Sequence, residues 1–233
     1  MKNFLMSLVS SAVFATLATP AAAEVTFQEF TVNEFSVPGT PIGGIDTLGT
    51  GGTVTANLIS GTYNERFVLT SPSTFYTTAI WSANKFRTGT TQATLTDTEA
   101  YMEQANAFGG YGLYAVFSAV GDFQNTGGGF IFTGVGGAQT RIDIYIDPNK
   151  DTDFSFVGLA PTLGDDGEDY RIAFADELIS GEGNISTGQN AGAFDLLFTN
   201  FTRTGLGLNY FVLPEQFHIN LDISGQFIDF DPS

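Results

Sequence analysis

Residues 141–146 read Arg-Ile-Asp-Ile-Tyr-Ile, so every second position of this stretch is an isoleucine. Residues 217–224 repeat the alternation in Phe-His-Ile-Asn-Leu-Asp-Ile-Ser. Successive side chains of a β-strand point to opposite faces, and a period of two is therefore typical of a strand with one buried and one solvated face. Both stretches predict strands of an antiparallel sheet, in which one face packs on a core and the other meets water.

The same reasoning predicts further strands, separated by clusters of Gly, Asn, Asp, Ser and Pro that favour turns. These strands cover 25–35, 53–59, 65–70, 75–82, 111–120, 130–134, 170–175 and 194–202. Residues 96–106 instead suit a short helix, with Thr96 as a cap and Glu99 three residues later. About ten strands joined mostly by short loops predict an all-β fold, an antiparallel β-sandwich of jelly-roll type with one short helix.

Composition and charge exclude several classes of function. The chain has 233 residues, with 25 Asp and Glu against 8 Lys and Arg, a formal net charge of −17. A phosphate backbone would be repelled by this charge, so nucleic acid is not an expected partner. The absence of cysteine excludes disulfides, thiolate catalysis and cysteine-ligated zinc. A single histidine leaves little room for histidine-based metal sites or catalytic dyads.

Residues 1–23 have the pattern of a secretory signal peptide. Lys2 gives a basic start, residues 4–17 are mostly apolar, and three alanines at 21–23 supply small residues for cleavage. The apolar run is shorter than the roughly 20 residues of a membrane-spanning helix. Residues 24–233 are expected to form a single secreted, extracellular β-sandwich domain, without a transmembrane helix.

The clearest local signal is an acidic loop directly after the strand at 141–146. Asp147, Asn149, Asp151 and Asp153 place oxygen-bearing side chains at alternate positions, as in the first part of a calcium-binding EF-hand loop. The sequence therefore predicts a calcium site at these four residues. A second acidic run at 165–169 could supply missing ligands or form a separate site. The alternative is a solvated loop, since Asp and Asn are ordinary turn formers.

Other candidate residues carry weaker signals. The alternation places His218 on the polar face of its strand, with no recognisable catalytic partner in the sequence. Glu65, Glu99 and Glu103 are candidates for the paired carboxylates of a glycoside hydrolase only because acids are abundant.

Two aromatic residues share one predicted strand. Tyr76 and Trp81 are separated by an odd number of positions, so a regular strand would turn them to opposite faces. One is then expected in the core, and the other could stack on a sugar.

Four segments resemble, in content and order, the flocculation-associated PEP-CTERM proteins of Gram-negative bacteria that produce exopolysaccharide. They are Glu-Phe-Thr-Val-Asn-Glu at 29–34, Gly-Gly-Tyr-Gly-Leu-Tyr-Ala-Val-Phe at 109–117, Ile-Asp-Ile-Tyr-Ile-Asp-Pro-Asn at 142–149 and Phe-Asp-Leu-Leu-Phe-Thr-Asn-Phe at 194–201. The resemblance implies an exported, non-enzymatic protein of the biofilm matrix that promotes cell aggregation with exopolysaccharide or cell-surface glycans as partners. It implies no catalytic residues.

The resemblance leaves alternatives open. Members of that family usually end in a Val-Pro-Glu-Pro-like motif, an apolar helix and a basic tail, none of which follows Leu213-Pro214-Glu215 here. We therefore expect either a freely released protein or a truncated sequence. A polysaccharide-degrading hydrolase or lyase on a jelly-roll scaffold is the first rival function. A structural surface protein that self-associates through exposed strand edges is the second.

Overall fold

The computed structural model describes residues 29–39, 52–88, 93–94, 102, 110–125, 129–186, 191–214 and 219–226. The signal-peptide prediction at 1–23 lies outside these residues. So does the helix prediction at 96–106, apart from Met102. Glu99, Glu103 and His218 also lie outside them.

The described residues form sixteen β-strands, one 3-10 helix and one short α-helix. The helices are Glu34–Ser36 (3-10) and Gly207–Tyr210 (α1). The strands are β1 Phe30–Asn33, β2 Thr53–Ala56, β3 Leu58–Ser71, β4 Thr74–Thr88, β5 Ala93–Thr94, β6 Gly112–Asn125, β7 Gly129–Val135, β8 Arg141–Asp147, β9 Asp153–Val157, β10 Ala160–Gly164, β11 Tyr170–Ala175, β12 Glu177–Ser186, β13 Ala191–Thr199, β14 Thr202–Arg203, β15 Phe211–Leu213 and β16 Ile219–Gln226.

The predicted fold class is confirmed, because the described chain is an antiparallel all-β sandwich. The predicted strand at 170–175 coincides with β11, and the one at 141–146 lengthens by one residue to Asp147. Strands β5, β9, β10, β12 and β15 were not predicted. The more specific jelly-roll connectivity is not confirmed by the strand order.

The long strand β6 organises the main sheet. One edge of β6 pairs with β4. Its other edge pairs with β8 along the first half of the strand and with β7 along the second half. The sheet divides at this point, continuing from β8 to β11 and β14, and from β7 to β12, β13 and β16.

The core forms where the two arms of the sheet face each other. Phe117 of β6 and Ile142 of β8 pack with Leu196 and Phe198 of β13 in one buried cluster. The Phe117 and Phe198 rings meet edge to face, with centroids 6.2 Å apart. The β12–β13 arm therefore covers the inner face of the β4–β6–β8 arm, which makes the layers of the sandwich.

Aromatic side chains fill the rest of the interior. A phenylalanine cluster contains Phe75, Phe123, Phe130 and Phe132. Burying one such ring contributes about 1.5–3 kcal/mol relative to leaving it in water. A large apolar content supplies the compaction that disulfides cannot provide in a chain without cysteine.

A hairpin formed by β9 and β10 lies across the opposite, outer face of the β4–β6–β8 arm. Its two-residue turn is Gly158-Leu159, and Gly158 has φ +64°, which suits a glycine at the first turn position. The Thr78 hydroxyl donates to the Leu159 carbonyl at 2.5 Å. Near the base, the Phe154 ring contacts the Tyr114 ring at 5.1 Å between centroids. The hairpin is thus fixed to the sheet at its tip and at its base.

Candidate metal site at the base of the hairpin

Two strand pairings bring the two acidic loops together. Residues 148–152 connect β8 to β9, and residues 165–169 connect β10 to β11. β9 pairs with β10 through Asp153 and Gly164, and β8 pairs with β11 through Ile146 and Tyr170. Both loops must therefore meet at the base of the β9–β10 hairpin.

Three carboxylates converge there. Single carboxylate oxygens of Asp147, Glu168 and Asp169 all lie within 4.8 Å of one another. Asp147 is buried, with 4% of its surface exposed, and the other two are half-buried. Negative charges this close repel each other unless a proton or a cation lies between them. The cluster could hold a metal ion.

Asp147 also shapes the loop that follows it. Its Oδ1 accepts the backbone N–H groups of Asn149 at 3.0 Å and Lys150 at 2.5 Å, and its Oδ2 accepts that of Thr152 at 2.9 Å. These bonds fold the loop back on the carboxylate, with Lys150 at φ +57°. A carboxylate offers about four lone-pair directions, so three N–H donors leave room for one further ligand.

Asp169 presents an oxygen whose bonding is incomplete. Its Oδ2 accepts the Tyr114 hydroxyl at 2.5 Å and the Thr152 hydroxyl at 2.9 Å. Its Oδ1 is buried and has no hydrogen-bond partner among the described residues. An unsatisfied buried acceptor costs about 1–3 kcal/mol, and coordination of a cation would remove this cost.

The predicted ligands are distributed around this cluster. The Asn149 amide donates to Glu168 Oε1 at 3.1 Å. Asp151 is exposed and interacts with the Glu168 carboxyl. Asp153 is the exposed first residue of β9, opposite Gly164 in the hairpin ladder, and is not a member of the three-carboxylate cluster. Of the four predicted ligands, Asp147, Asn149 and Asp151 therefore lie beside the second acidic run, at 165–169.

The clustering of acidic side chains shifts the pKa values of the groups at the site. A hydrogen bond with Glu168 raises the pKa of Asp151, and the charges of Glu168 and Asp147 add to the shift. Burial raises the pKa of Asp169, the hydrogen bonds from Tyr114 and Thr152 partly oppose this shift, and repulsion from Asp147 and Glu168 adds to it. Burial followed by the hydrogen bond to Asp169 raises the pKa of Tyr114 well above its ordinary range, so its hydroxyl stays a donor.

Sequence reasoning missed the residues that support the site. Tyr114 lies on β6 and Thr152 precedes β9, and neither belongs to an acidic run. The Tyr114 ring stacks on Tyr145 with centroids 5.1 Å apart, because the two residues are opposite each other in the β6–β8 ladder. That cross-strand pair holds the hydroxyl against Asp169. Only the pairing register could have revealed it.

The two aromatic candidates lie on opposite faces of β4, as strand alternation predicts. Trp81 packs against the buried cluster of Phe117 and Phe198. Tyr76 lines an open depression on the outer face, beside the hairpin tip. Tyr76 is therefore the aromatic residue available to a ligand.

Glu65 is the described member of the three hydrolase candidates. It lines a cavity of about 10 Å³ inside the sandwich, together with Glu182, Phe117 and Leu196. The Thr77 hydroxyl donates to Glu65 Oε1 at 2.5 Å. Burial raises the pKa of Glu65, and the Thr77 bond partly opposes the shift. A cavity of this volume holds about one water molecule.

The protein is thus an antiparallel β-sandwich with three clustered carboxylates, which could hold a metal ion, at the base of a hairpin. None of the protein-family models, curated proteins or solved structures compared with this chain gives a significant match. Within the described ranges, no helix has the length and apolar character needed to cross a membrane.

Proposed function

We propose that this chain is an exported, non-enzymatic matrix protein that promotes cell aggregation by associating with exopolysaccharide or cell-surface glycans. Calcium bound at the hairpin base assists this association. The proposal is supported by the sequence resemblance described above and by the acidic cluster. The observation that carries the calcium part is the convergence of Asp147, Glu168 and Asp169, with an unpartnered oxygen on Asp169.

The donor set favours calcium over the transition metals. The converging ligands are carboxylate oxygens, which suit hard cations, and neither cysteine nor histidine belongs to the cluster. Calcium accepts 6–8 oxygens in flexible geometry, whereas magnesium requires a near-ideal octahedron. Asp147, Asp151, Glu168 and Asp169 come from two loops. Ligands arranged in this way fit the flexible coordination of calcium better than the octahedral coordination of magnesium. We expect an affinity in the extracellular range, about 10⁻⁴–10⁻³ M.

Charge explains why a cation would matter for association. A chain with a formal net charge of −17 is repelled by acidic polysaccharide. Calcium lowers the local negative charge, and it fixes the two loops between which the hairpin emerges. Neutral sugars can be bound without overcoming this repulsion.

The first experiment measures depletion of the purified protein from solution by the producer's own exopolysaccharide, with calcium and with EDTA. Depletion without release of sugar reducing ends is the expected result. Loss of depletion in EDTA would assign a role to the cation. No depletion in either buffer would refute direct polysaccharide association.

A matched pair of variants tests the site itself. Asp151→Asn with Glu168→Gln removes one carboxylate of the cluster and the exposed carboxylate that interacts with it, while preserving side-chain size. Asp165→Asn with Asp166→Asn makes the same change of charge in the same loop region, at exposed residues outside the cluster. Calcium should raise the melting temperature of the wild type and of the second variant, but not of the first. An equal response of all three would refute the site.

A polysaccharide-degrading hydrolase is the second candidate, favoured by Glu65 alone. A buried carboxyl with a raised pKa has the chemistry of a general acid, and Glu182 lines the same cavity. That cavity, at about 10 Å³, is far too small for a sugar ring. Release of reducing ends by the wild type, abolished in Glu65→Gln, would favour this function over the first.

A further inference from the structure

An open depression of about 590 Å³ lies on the outer face, between strands β3, β4 and β6 and the tip of the β9–β10 hairpin. Binding sites for small molecules usually enclose about 300–1,000 Å³. The depression is distinct from the carboxylate cluster, since the two share no lining residue. It is therefore a separate candidate for a ligand.

Its floor is an apolar row that runs across three strands. Tyr76 of β4 is opposite Val68 of β3 in one ladder and opposite Val120 of β6 in the other. Directly opposed residues of adjacent antiparallel strands point to the same face, with Cβ atoms about 5 Å apart. The row offers an aromatic ring between two aliphatic groups, which suits the C–H face of a sugar ring.

Its rim supplies hydrogen-bonding groups of both kinds. The Thr70 and Thr74 hydroxyls are hydrogen-bonded to each other at 2.7 Å at one side. The Asp122 carboxylate lies opposite Thr74 in the β4–β6 ladder, and the exposed Gln139 amide follows β7. Hydroxyls and amides both donate and accept, whereas a carboxylate only accepts. Adjacent hydroxyls of a sugar need this mixture.

We propose that this depression binds a neutral saccharide, with Tyr76 under the ring and Asp122 accepting from its hydroxyls. Neither lysine nor arginine occurs among the described residues that line it. An acidic sugar would face the Asp122 carboxylate and the negative charge of the whole chain, so it would be repelled. The inference rests on the proposed function, because it names the class of glycan that the protein binds.

The hairpin connects this depression to the carboxylate cluster. Leu159, at the hairpin tip, forms one wall of the depression, and its carbonyl accepts from Thr78. The cluster closes the base of the same hairpin, roughly 15 Å away along strands of five residues. Calcium bound at the base of the hairpin therefore restricts the motion of Leu159 at its tip. Saccharide binding should then be stronger when calcium is present.

Affinity electrophoresis of the purified protein tests the inference. Gels contain dextran, mixed-linkage β-glucan or galactomannan as neutral probes and alginate as the acidic probe, and calcium is present. We expect at least one neutral probe to retard the wild type. Tyr76→Ala and Asp122→Ala should each bind that probe about tenfold more weakly. Tyr170→Ala is the matched control, because Tyr170 is 41% exposed and does not line the depression.

The outcomes separate the inference from the proposed function. Equal retardation of the wild type and both variants would place the saccharide elsewhere and overturn the inference alone. Calcium-dependent retardation by alginate only, unchanged in Tyr76→Ala, would also overturn it and leave a calcium-bridged function. No retardation by any probe, together with no depletion by the producer's exopolysaccharide, would overturn both. Circular dichroism of each variant confirms that the sandwich is folded, and the exposed Asp122 provides a variant that spares the core.

Discussion

The Tyr114 hydroxyl donates to Asp169 Oδ2 at 2.5 Å, while Oδ1 of the same carboxylate is buried without a hydrogen-bond partner among the described residues. One oxygen of Asp169 is thus held in place by the sheet, and the other is left for a ligand. A side chain positioned in this way needs little reorganisation when a cation binds, which favours binding.

Asp169→Asn should therefore abolish the stabilisation that calcium confers. The amide keeps an oxygen that can accept from Tyr114 and Thr152, but the negative charge is lost. Without calcium, the variant should be as stable as the wild type or more so, because repulsion from Asp147 and Glu168 is relieved. Thermal unfolding with calcium and with EDTA measures both effects.

Asp165→Asn is the control for this substitution. Asp165 is exposed, lies outside the cluster and has φ +56°, a conformation that asparagine tolerates. Its calcium response should equal that of the wild type. If Asp169→Asn responded to calcium as strongly as Asp165→Asn does, Asp169 would not be a ligand.

The phenylalanine cluster should dominate the stability of its end of the sandwich. Phe132 is 1% exposed, and its ring meets those of Phe67, Phe75 and Phe123 at centroid distances of 5.1, 5.6 and 5.4 Å. Phe132→Ala would leave a cavity among these rings and should cost about 3–5 kcal/mol of the free energy of unfolding. Urea denaturation measures this cost.

The adjacent residue provides a control on the same strand. Ile131 is 44% exposed on the opposite face of β7, so Ile131→Ala removes little buried surface. Its cost should be about 1 kcal/mol or less, in the range of strand propensity alone. Similar losses for the two variants would mean that the cluster is not a packed core.

A buried polar network closes another part of the interior. The Tyr111 hydroxyl donates to Glu34 Oε1 at 2.9 Å and is 2.7 Å from the Tyr210 hydroxyl, and all three residues are at most 1% exposed. The single Tyr111 hydrogen is directed to Glu34, so the Tyr210 hydroxyl must donate to Tyr111. Burial raises the pKa of both tyrosines, and each therefore remains a donor.

The order of the network predicts unequal effects of two conservative variants. Tyr210→Phe removes one hydrogen bond and should cost about 0.5–1.5 kcal/mol. Tyr111→Phe withdraws a donor from the Glu34 carboxylate and an acceptor from Tyr210, so it should cost about 1–3 kcal/mol. Chemical denaturation of both proteins at neutral pH checks the order. A larger loss for Tyr210→Phe would contradict this direction of donation.

Periodicity was enough to predict the sheet where buried residues alternate, but not its extent. Ile142 and Ile146 of β8 are buried as their spacing predicts. Strand β3 instead continues through Gly61 and Asn64, which disfavour strands, because it pairs with β4 along almost its whole length. Long-range pairing overrides local propensity here, and a sequence pattern does not contain that information.

The same limit applies to the site. Alternating oxygen-bearing residues from the end of β8 onward indicated Asp147, Asn149, Asp151 and Asp153, and Asp153 is not a member of the three-carboxylate cluster. The contribution of Glu168 and Asp169 depends on the pairing of β8 with β11, and that of Tyr114 on the β6–β8 register. These are non-local relationships between strands, so the sequence could only offer the second acidic run as an alternative source of ligands.

The last prediction concerns the pH dependence of stability through Glu65. Burial raises the pKa of this carboxyl above its ordinary value of 4.5, so the folded state holds the proton more tightly than the unfolded chain does. The resulting stabilisation is complete below the ordinary pKa. It is lost as the pH rises through the raised pKa, where a buried carboxylate must form.

Glu65→Gln removes this ionisation and preserves an oxygen that can accept from Thr77. Relative to the wild type, the variant should gain stability as the pH rises from about 4 to 7, since only the wild type must then ionise a buried group. Urea denaturation across this range measures the difference. Glu177→Gln, at an exposed residue of β12, is the control for the loss of one carboxylate at the surface. A difference between Glu65→Gln and the wild type that stays constant across the range would show that Glu65 has an ordinary pKa in the folded protein.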